Sequence, residues 1–212
     1  MARIAVIGGT GYAGSHIVAE GVSRGHSVIS VARSVPTARV EGAVYVEGTI
    51  LDVPGLITQI EGVDVVIQAL SPRGNMAGKV RPATAELVAA LPDDVRLGVV
   101  GGAGGSLVSA GGPRVIDSGF PEEFKAEAFE AIGVLDDLQA DAGGRDWFFI
   151  HPAGEFGAWN PGEPTRGYRD GGDVIVTDDD GRSYISGADF AVAVVDEIET
   201  PKHHRERFTV GY

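Results

Sequence analysis

The chain contains no cysteine. That excludes a disulfide framework, a thiolate nucleophile and a cysteine-bound zinc. Basic charge is also scarce: 17 Lys and Arg stand against 30 Asp and Glu, a net charge of −13. A duplex-binding protein needs a basic face, and no Lys/Arg cluster occurs before the 202–207 stretch. Nucleic acid and anionic membrane are therefore not expected partners. No apolar run approaches the roughly 18 residues of a membrane span. Met1-Ala2-Arg3-Ile4 leads straight into a strand-like run, which leaves no room for a leader. These absences predict a soluble cytoplasmic protein, monomeric or homodimeric, that acts on a small molecule. At 212 residues it is one domain, large enough to bury its own core.

Glycine is abundant. The 32 glycines are about 15% of the chain, twice the usual share. They fall in short runs without a period, as tight turns and close backbone approaches require.

The segments alternate. Ile4-Ala5-Val6-Ile7 is a short apolar run, suited to a strand buried on both faces. Gly11 to Arg24 reads as a helix, with Ile17, Val18, Gly21 and Val22 on one face and Gly25 as the stop. Strands follow at Ser27–Val31 and Ala43–Val46, a short helix at Asp52–Ile60, and strands at Val63–Leu70 and Val95–Val100. Between the last two lies a helix over Ala77–Leu91, whose Pro82 predicts a kink or a late start. Pro121 to Ala140 is the clearest helix, with Phe124, Ala128, Ala131, Leu135 and Leu138 as one buried stripe and Gly143-Gly144 as its end. Trp147–Ile150 is a sixth strand. Ser186 to Asp189 has capping-box spacing for a last helix through Ile198, and Arg207–Val210 closes with a strand.

This order predicts an α/β fold: a doubly wound parallel sheet, the Rossmann arrangement, over residues 1–212. Residues 153–186 break the alternation and are expected to form a small lobe over the carboxyl ends of the strands. Within it, Val174–Val176 and Ser183–Ile185 read as strands around a hairpin turn at Asp178-Asp179-Asp180-Gly181. That turn resembles part of a calcium loop but lacks the distal bidentate Glu. His203 and His204 are adjacent, so in a strand they would point apart, which argues against zinc.

The strongest chemical signal is Gly8-Gly9-Thr10-Gly11-Tyr12-Ala13-Gly14, between the first strand and the first helix. Gly8 permits the tight turn, Gly11 lets the backbone approach a pyrophosphate, and Gly14 lets the helix pack close to the sheet. Free amides at the helix start then face the phosphates. The expected contacts are Gly8, Thr10, Gly11, Tyr12, Ala13 and Gly14.

Gly-x-Thr-Gly-Tyr-x-Gly in this place is similar to the atypical short-chain dehydrogenase/reductases. The nearest group is the small bacterial proteins called NADH-flavin reductases or NAD-dependent epimerase/dehydratase-like. Val99-Val100-Gly101-Gly102-Ala103-Gly104, Gly119-Phe120-Pro121-Glu122 with Lys125-Ala126-Glu127, and Phe208-Thr209-Val210-Gly211-Tyr212 agree. The resemblance spans nearly the whole chain. It implies a dinucleotide site completed by Gly101 and Gly102, with ribose and nicotinamide near Ala69, Leu70 and Ser71.

NAD-specific sites usually place an acid at the end of the second strand. Here that segment reads Val31-Ala32-Arg33-Ser34. Arg33 could pair with a 2′-phosphate and Ser34 could add a hydrogen bond, which favours NADP(H) over NAD(H). After the third strand, Gly48-Thr49-Ile50 replaces the Gly-Asp of many relatives, leaving Thr49 near the adenine and Ile50 to pack on its ring.

No tyrosine in the chain is followed four residues later by lysine. Carbonyl chemistry that needs the Tyr-x-x-x-Lys proton donor is thereby disfavoured. Hydride transfer to an electron-poor ring such as FMN, FAD or a quinone can use water as the proton source. Candidate pocket residues are Ser71, Ser106, Phe124, His151, Phe156, Trp159 and Tyr168. Of these His151 and Ser71 are the catalytic candidates, His151 as a donor to a substrate oxygen or as a support for its own loop. Mammalian flavin-reducing relatives use a serine after the fifth strand and a histidine after the sixth. Gly101-Gly102-Ala103 and the offset of His151 do not match them. An NADPH-dependent reductase is the first expectation. A non-enzymatic dinucleotide sensor and a biosynthetic dehydratase, epimerase or cyclase are the alternatives.

Overall fold

A computed structural model describes residues 1–140 and 144–212. Eight strands form one sheet: β1 (Arg3–Ile7), β2 (Ser27–Ala32), β3 (Val44–Glu47), β4 (Val65–Gln68), β5 (Arg96–Val100), β6 (Trp147–His151), β7 (Arg169–Asp170) and β8 (Glu206–Gly211). Their order across the sheet is β3-β2-β1-β4-β5-β6-β8-β7. All neighbours are parallel except β7, which pairs antiparallel with β8 at the edge. The helices are α1 (Tyr12–Ser23), α2 (Val53–Gln59), α3 (Val80–Ala90), α4 (Glu122–Ala140) and α5 (Gly187–Glu199).

The pleat explains the continuous apolar runs. Ile4 and Val6 of β1 and Phe148 and Ile150 of β6 join a core with α1 and α5. Ala5 and Ile7 of β1 and Trp147 and Phe149 of β6 join the opposite core with α2, α3 and α4. Both strand faces are dry, so alternation with polar residues is absent. The chain therefore has the doubly wound fold that the segment order predicts.

Several details differ from the sequence expectation. Pro82 sits in the first turn of α3, so the helix starts late rather than kinking. On α4 the apolar stripe is buried from Ala128 onward, whereas Phe124 is 46% exposed. The stop expected at Gly143 lies outside the described residues. Val174–Val176 and Ser183–Ile185 form no strand pair. Val174 instead bridges to Leu107, the Ile175 amide donates to the Leu107 carbonyl, and the Glu155 amide donates to the Ser183 carbonyl. Three-residue runs found partners in separate loops rather than in each other. The turn between them does form: the Asp178 amide donates to the Arg182 carbonyl at 2.8 Å, and Gly181 has φ +80°. His203 and His204 precede β8 rather than lying in it; His203 contacts Glu197 and Asp170, and His204 contacts Asp146.

The 153–186 segment adds β7 to the sheet edge and runs along α5. There the Asp189 carboxylate accepts from the amides of Thr165 and Arg166, and Tyr168 donates to Asp196. Ser186 caps α5 by accepting from the Asp189 amide at 3.0 Å. The reciprocal bond of a capping box is absent, because Tyr212 takes the place of Asp189 at the Ser186 amide. No helix among the described residues is long and apolar enough to cross a membrane.

Candidate functional site

After β1 the chain turns through Gly8 at φ +86°. The amides of Gly8 and Gly9 both donate to the Val31 carbonyl, at 2.9 and 3.2 Å, which ties the turn to β2. A Cβ at Gly8 would lie 2.7 Å from the Ala69 carbonyl oxygen, and one at Gly14 would lie 2.1 Å from the Gly8 carbonyl oxygen. Both positions require glycine. A Cβ at Gly11 would meet only the Gly8 oxygen, at 3.3 Å. Gly11 therefore faces outward, where a ligand backbone can approach. Gly9 carries a constraint that spacing did not reveal: its Cβ would lie 2.4 Å from Ser30 Oγ.

The first amides of every helix lack intrahelical partners. In this chain most are met by side chains. Asp52 accepts from Gly55 at the start of α2, and Ser186 accepts at the start of α5. Glu130, reaching across from α4, accepts from Gly78, Val80 and Arg81 at the start of α3. Glu122 and Glu123 occupy the first turn of α4. The start of α1 has Gly11 as its N-cap, no capping side chain and no acid in its first turn. Its leading amides and the positive end of its dipole are thus met by no capping side chain or acid of its own first turn, the arrangement that suits an anion.

Beside this turn, on the β2–β3 side, lies a cleft of about 310 Å³ walled by Gly9, Thr10, Ser15, Arg39, Val40 and Tyr45, among others. The 33–43 connection curls back to form its outer wall. Arg39 Nε donates to the Pro36 carbonyl at 3.1 Å, and its guanidinium carbon lies 5.9 Å from the Tyr45 ring centroid. The Tyr45 hydroxyl in turn accepts from the Val40 amide at 3.1 Å. No acid lines the cleft among the described residues. Arg33 and Ser34 stand exposed on the loop after β2, outside this wall. Arg39 and Tyr45 escaped the sequence reading because only the return of the loop brings them to the glycine turn, and Ser15, one residue past Gly14 in α1, was passed over.

Other expected positions divide clearly. Tyr12 turns away from the turn's mouth: its hydroxyl accepts from the Gly187 amide at 3.1 Å, and its ring meets His16 and Phe156. Ala13 follows it in the first turn of α1, half-buried. Thr49 Oγ1 accepts from the Leu51 amide, and Ile50, expected on the adenine ring, is only 1% exposed in the core with α2 and α3. Ala69 and Leu70 are half-buried at the end of β4, and Ser71 beyond them is exposed. A Cβ at Gly101 would strike the Phe149 ring at 2.0 Å, whereas Gly102 faces open space.

His151 is not on an open face. It is 1% exposed, and its Nδ1 donates to the Gly102 carbonyl at 2.8 Å. Burial pushes its pKa down to about 4, so the ring is neutral near pH 7. Its Nε2 and the Ser106 Oγ are both buried without partners. Phe156 packs between Tyr12 and Phe190, at centroid distances of 5.2 and 4.6 Å. Trp159 is largely exposed, and Tyr168 is held by α5 through Asp196. The structure therefore gathers the glycine turn with Thr10, and Ser71 with the Phe124 side of α4. It does not bring Ser106, His151, Phe156, Trp159 or Tyr168 to either place.

The tyrosines are committed elsewhere as well. Tyr12 and Tyr45 accept from backbone amides, while Tyr168 and Tyr212 donate to Asp196 and Asp189. Lys125 on α4 pairs with Glu122 at 2.7 Å.

Residues 8–201 match the model of a family described as NAD(P)H-binding. An uncharacterized protein of Bacillus subtilis, YwnB, is 34% identical over 98% of this chain and 97% of its own length. A solved structure from Streptococcus pneumoniae, provisionally called an NADH-flavin reductase, is 32% identical, with TM-score 0.85 over 100% of this chain and 99% of its own. Another from Bacteroides thetaiotaomicron, provisionally called an epimerase, is 31% identical, with TM-score 0.86 over 100% of this chain and 97% of its own. These likenesses agree with an atypical short-chain dehydrogenase/reductase group. With its glycine turn, its uncapped first helix and a family match that runs almost end to end, the chain belongs to the NAD(P)H-binding family.

Proposed function

We propose that this protein is an NADPH-dependent reductase that passes hydride to a flavin, a quinone or a similar conjugated acceptor. The observation that carries the cofactor preference is the cleft beside the glycine turn, which presents the Arg39 guanidinium and no carboxylate. Among the described lining residues a ribose 2′-hydroxyl finds no carboxylate to accept its proton, whereas a 2′-phosphate finds the Arg39 guanidinium, with the Thr10 hydroxyl as a further donor. Arg33 lies on the same loop and adds to the local positive field, and Ser34 beside it offers a hydroxyl.

When bound, the nicotinamide supplies hydride. The chain's own task is to hold the pyrophosphate at the start of α1, orient the ring past β4 and keep an acceptor flat against it. The lack of a lysine four residues after any tyrosine favours acceptors that need no phenol donor. The proposed setting is the cytoplasm, with a small-molecule acceptor as partner.

The test is anaerobic NADPH oxidation with FMN, FAD and a naphthoquinone, run beside NADH. Turnover with NADPH preferred supports the proposal. Tight NADPH binding without oxidation by any acceptor would move the assignment to a dinucleotide sensor.

A further inference from the structure

Arg39 is the cation that the cleft beside the glycine turn presents, and two contacts fix how it is presented. Its Nε donates to the Pro36 carbonyl of its own loop at 3.1 Å, and its guanidinium carbon lies 5.9 Å from the Tyr45 ring centroid. A guanidinium carries five N–H donors, so four remain after that bond. The residue that follows is held on both sides. The Val40 amide donates to the Tyr45 hydroxyl at 3.1 Å, and the Val40 carbonyl accepts from the Ala43 amide at 3.2 Å. Gly42, at φ +92°, supplies the left-handed position that this turn needs before β3. Val40 and Tyr45 are half-buried and pack against the core with α1 and α5, whereas Arg39 is exposed.

Tyr45 thus meets the loop twice, with its hydroxyl at the Val40 amide and with its ring beside Arg39. It stands on β3, paired in register with Ser30 of β2. The glycine turn is tied to the next residue of β2, through the two amides that donate to the Val31 carbonyl. One stretch of sheet therefore sets both walls of the cleft, and Tyr45 is the side chain that carries the loop back to it. An exposed arginine on a free loop samples many rotamers and must be ordered when an anion binds. One ordered beforehand loses less entropy at that step. Arg33, exposed on the same loop, stands outside the cleft wall.

We propose that Tyr45 sets nucleotide specificity by positioning Arg39 for the 2′-phosphate of NADPH. It acts through Arg39 rather than on the ligand, so it is a positioning residue. The proposal rests on the NADPH preference argued above and is independent of the acceptor. NADH carries no 2′-phosphate and gains nothing from an ordered Arg39. The share of the hydroxyl is one hydrogen bond, a factor of about five in the population of the returned loop. The share of the ring is an exposed cation–π contact, a factor of about three to five.

The test uses Tyr45→Phe, which keeps the ring and removes the hydroxyl, and Tyr45→Leu, which removes both, each alone and combined with Arg39→Ala. Calorimetry on the full chain measures NADPH and NADH binding. NADPH affinity should fall about fivefold in Tyr45→Phe and about fifteenfold in Tyr45→Leu, with NADH within about twofold in both. Beside Arg39→Ala, Tyr45→Phe should change NADPH affinity by less than about twofold, because the group it positions is gone. Trypsin reads the loop separately, since the Val40 amide belongs to the peptide bond cleaved after Arg39. Cleavage there, relative to cleavage after the exposed Arg182, should quicken about fivefold in Tyr45→Phe. Unchanged cleavage after Arg39, equal losses for the two nucleotides, or an undiminished loss beside Arg39→Ala would overturn the positioning role. So would full NADPH preference in Tyr45→Phe, which leaves the cofactor reading intact. A wild type that binds NADPH and NADH alike removes the cofactor reading itself, and this proposal with it.

Discussion

The hydroxyl of Tyr12 accepts a hydrogen bond from the amide of Gly187 at 3.1 Å, joining the first residue of α1 to the first residue of α5. A Cβ at Gly187 would lie 2.9 Å from the Tyr12 ring and 2.3 Å from His16 Cδ2, so the two helix starts fit closely. The tyrosine of the glycine motif thus braces the phosphate-binding helix from behind. Tyr12→Phe should lower stability by about 1 kcal/mol, the usual worth of one hydrogen bond, and leave NADPH affinity within about twofold. Urea unfolding and calorimetry read the two effects separately. A tenfold loss of affinity at unchanged stability would return Tyr12 to the cofactor.

Two of the motif glycines, Gly11 and Gly14, should respond differently to a side chain. Gly11→Val should abolish NADPH binding while the fold persists, because its Cβ has room in the protein but enters the pyrophosphate path. Gly14→Ala should instead unsettle the fold, since its methyl would sit 2.1 Å from the Gly8 carbonyl oxygen. Circular dichroism melts with NADPH titration distinguish the two outcomes, and unchanged affinity in folded Gly11→Val would refute the path.

Arg39→Ala should weaken NADPH binding by roughly 1.5–3 kcal/mol, the range for hydrogen bonds to a charged group, and leave NADH nearly unaffected. Arg33→Ala should cost less, because Arg33 stands outside the cleft wall. Calorimetry on both variants with both nucleotides apportions the phosphate between them. Equal losses for NADPH and NADH would remove it from either arginine.

His151 links pH to stability. Its folded pKa of about 4 lies below the usual value near 6.5, so between those limits the unfolded chain binds more protons. Its contribution is therefore present above about pH 6.5 and is lost as pH falls toward 4, on the order of 3 kcal/mol in all. Urea midpoints at pH 7.5 and 4.5 should differ less in His151→Gln than in the wild type. Flavin reduction should survive His151→Ala with less than about a tenfold loss. A loss beyond a hundredfold with nucleotide affinity intact would make the ring a catalytic acid.

What was legible in the sequence was local. Ile4 to Gly14 declares a strand, a turn and a helix through an apolar run and glycine spacing alone, and the structure supplies the clashes that enforce it. The stripe on α4 was readable where it faces the sheet, but Phe124 lies beyond the sheet's reach and is exposed. Ile50 carried no sign of its direction, since an apolar residue after a strand suits a ligand ring and a core equally. Arg39 was invisible as a cleft residue because its place comes from a loop return, and the Arg73–Glu127 and Ser71–Glu127 contacts were invisible because they span 54 and 56 residues. The same holds for Glu130, whose role at α3 depends on a helix 49 to 52 residues away.

The distribution of helix caps reaches into the design of every assay above. Asp52, Glu130 and Ser186 accept from amides at the starts of α2, α3 and α5, and Glu122 and Glu123 place negative charge in the first turn of α4. The start of α1 has neither a capping side chain nor an acid in its first turn. Inorganic phosphate or sulfate in a buffer should therefore compete with the nucleotide at this turn, raising its apparent Kd linearly with the anion concentration. Chloride salts of organic buffers avoid that bias, and the inhibition constant for sulfate becomes a direct gauge of what the bare turn contributes before any adenosine or nicotinamide contact is made.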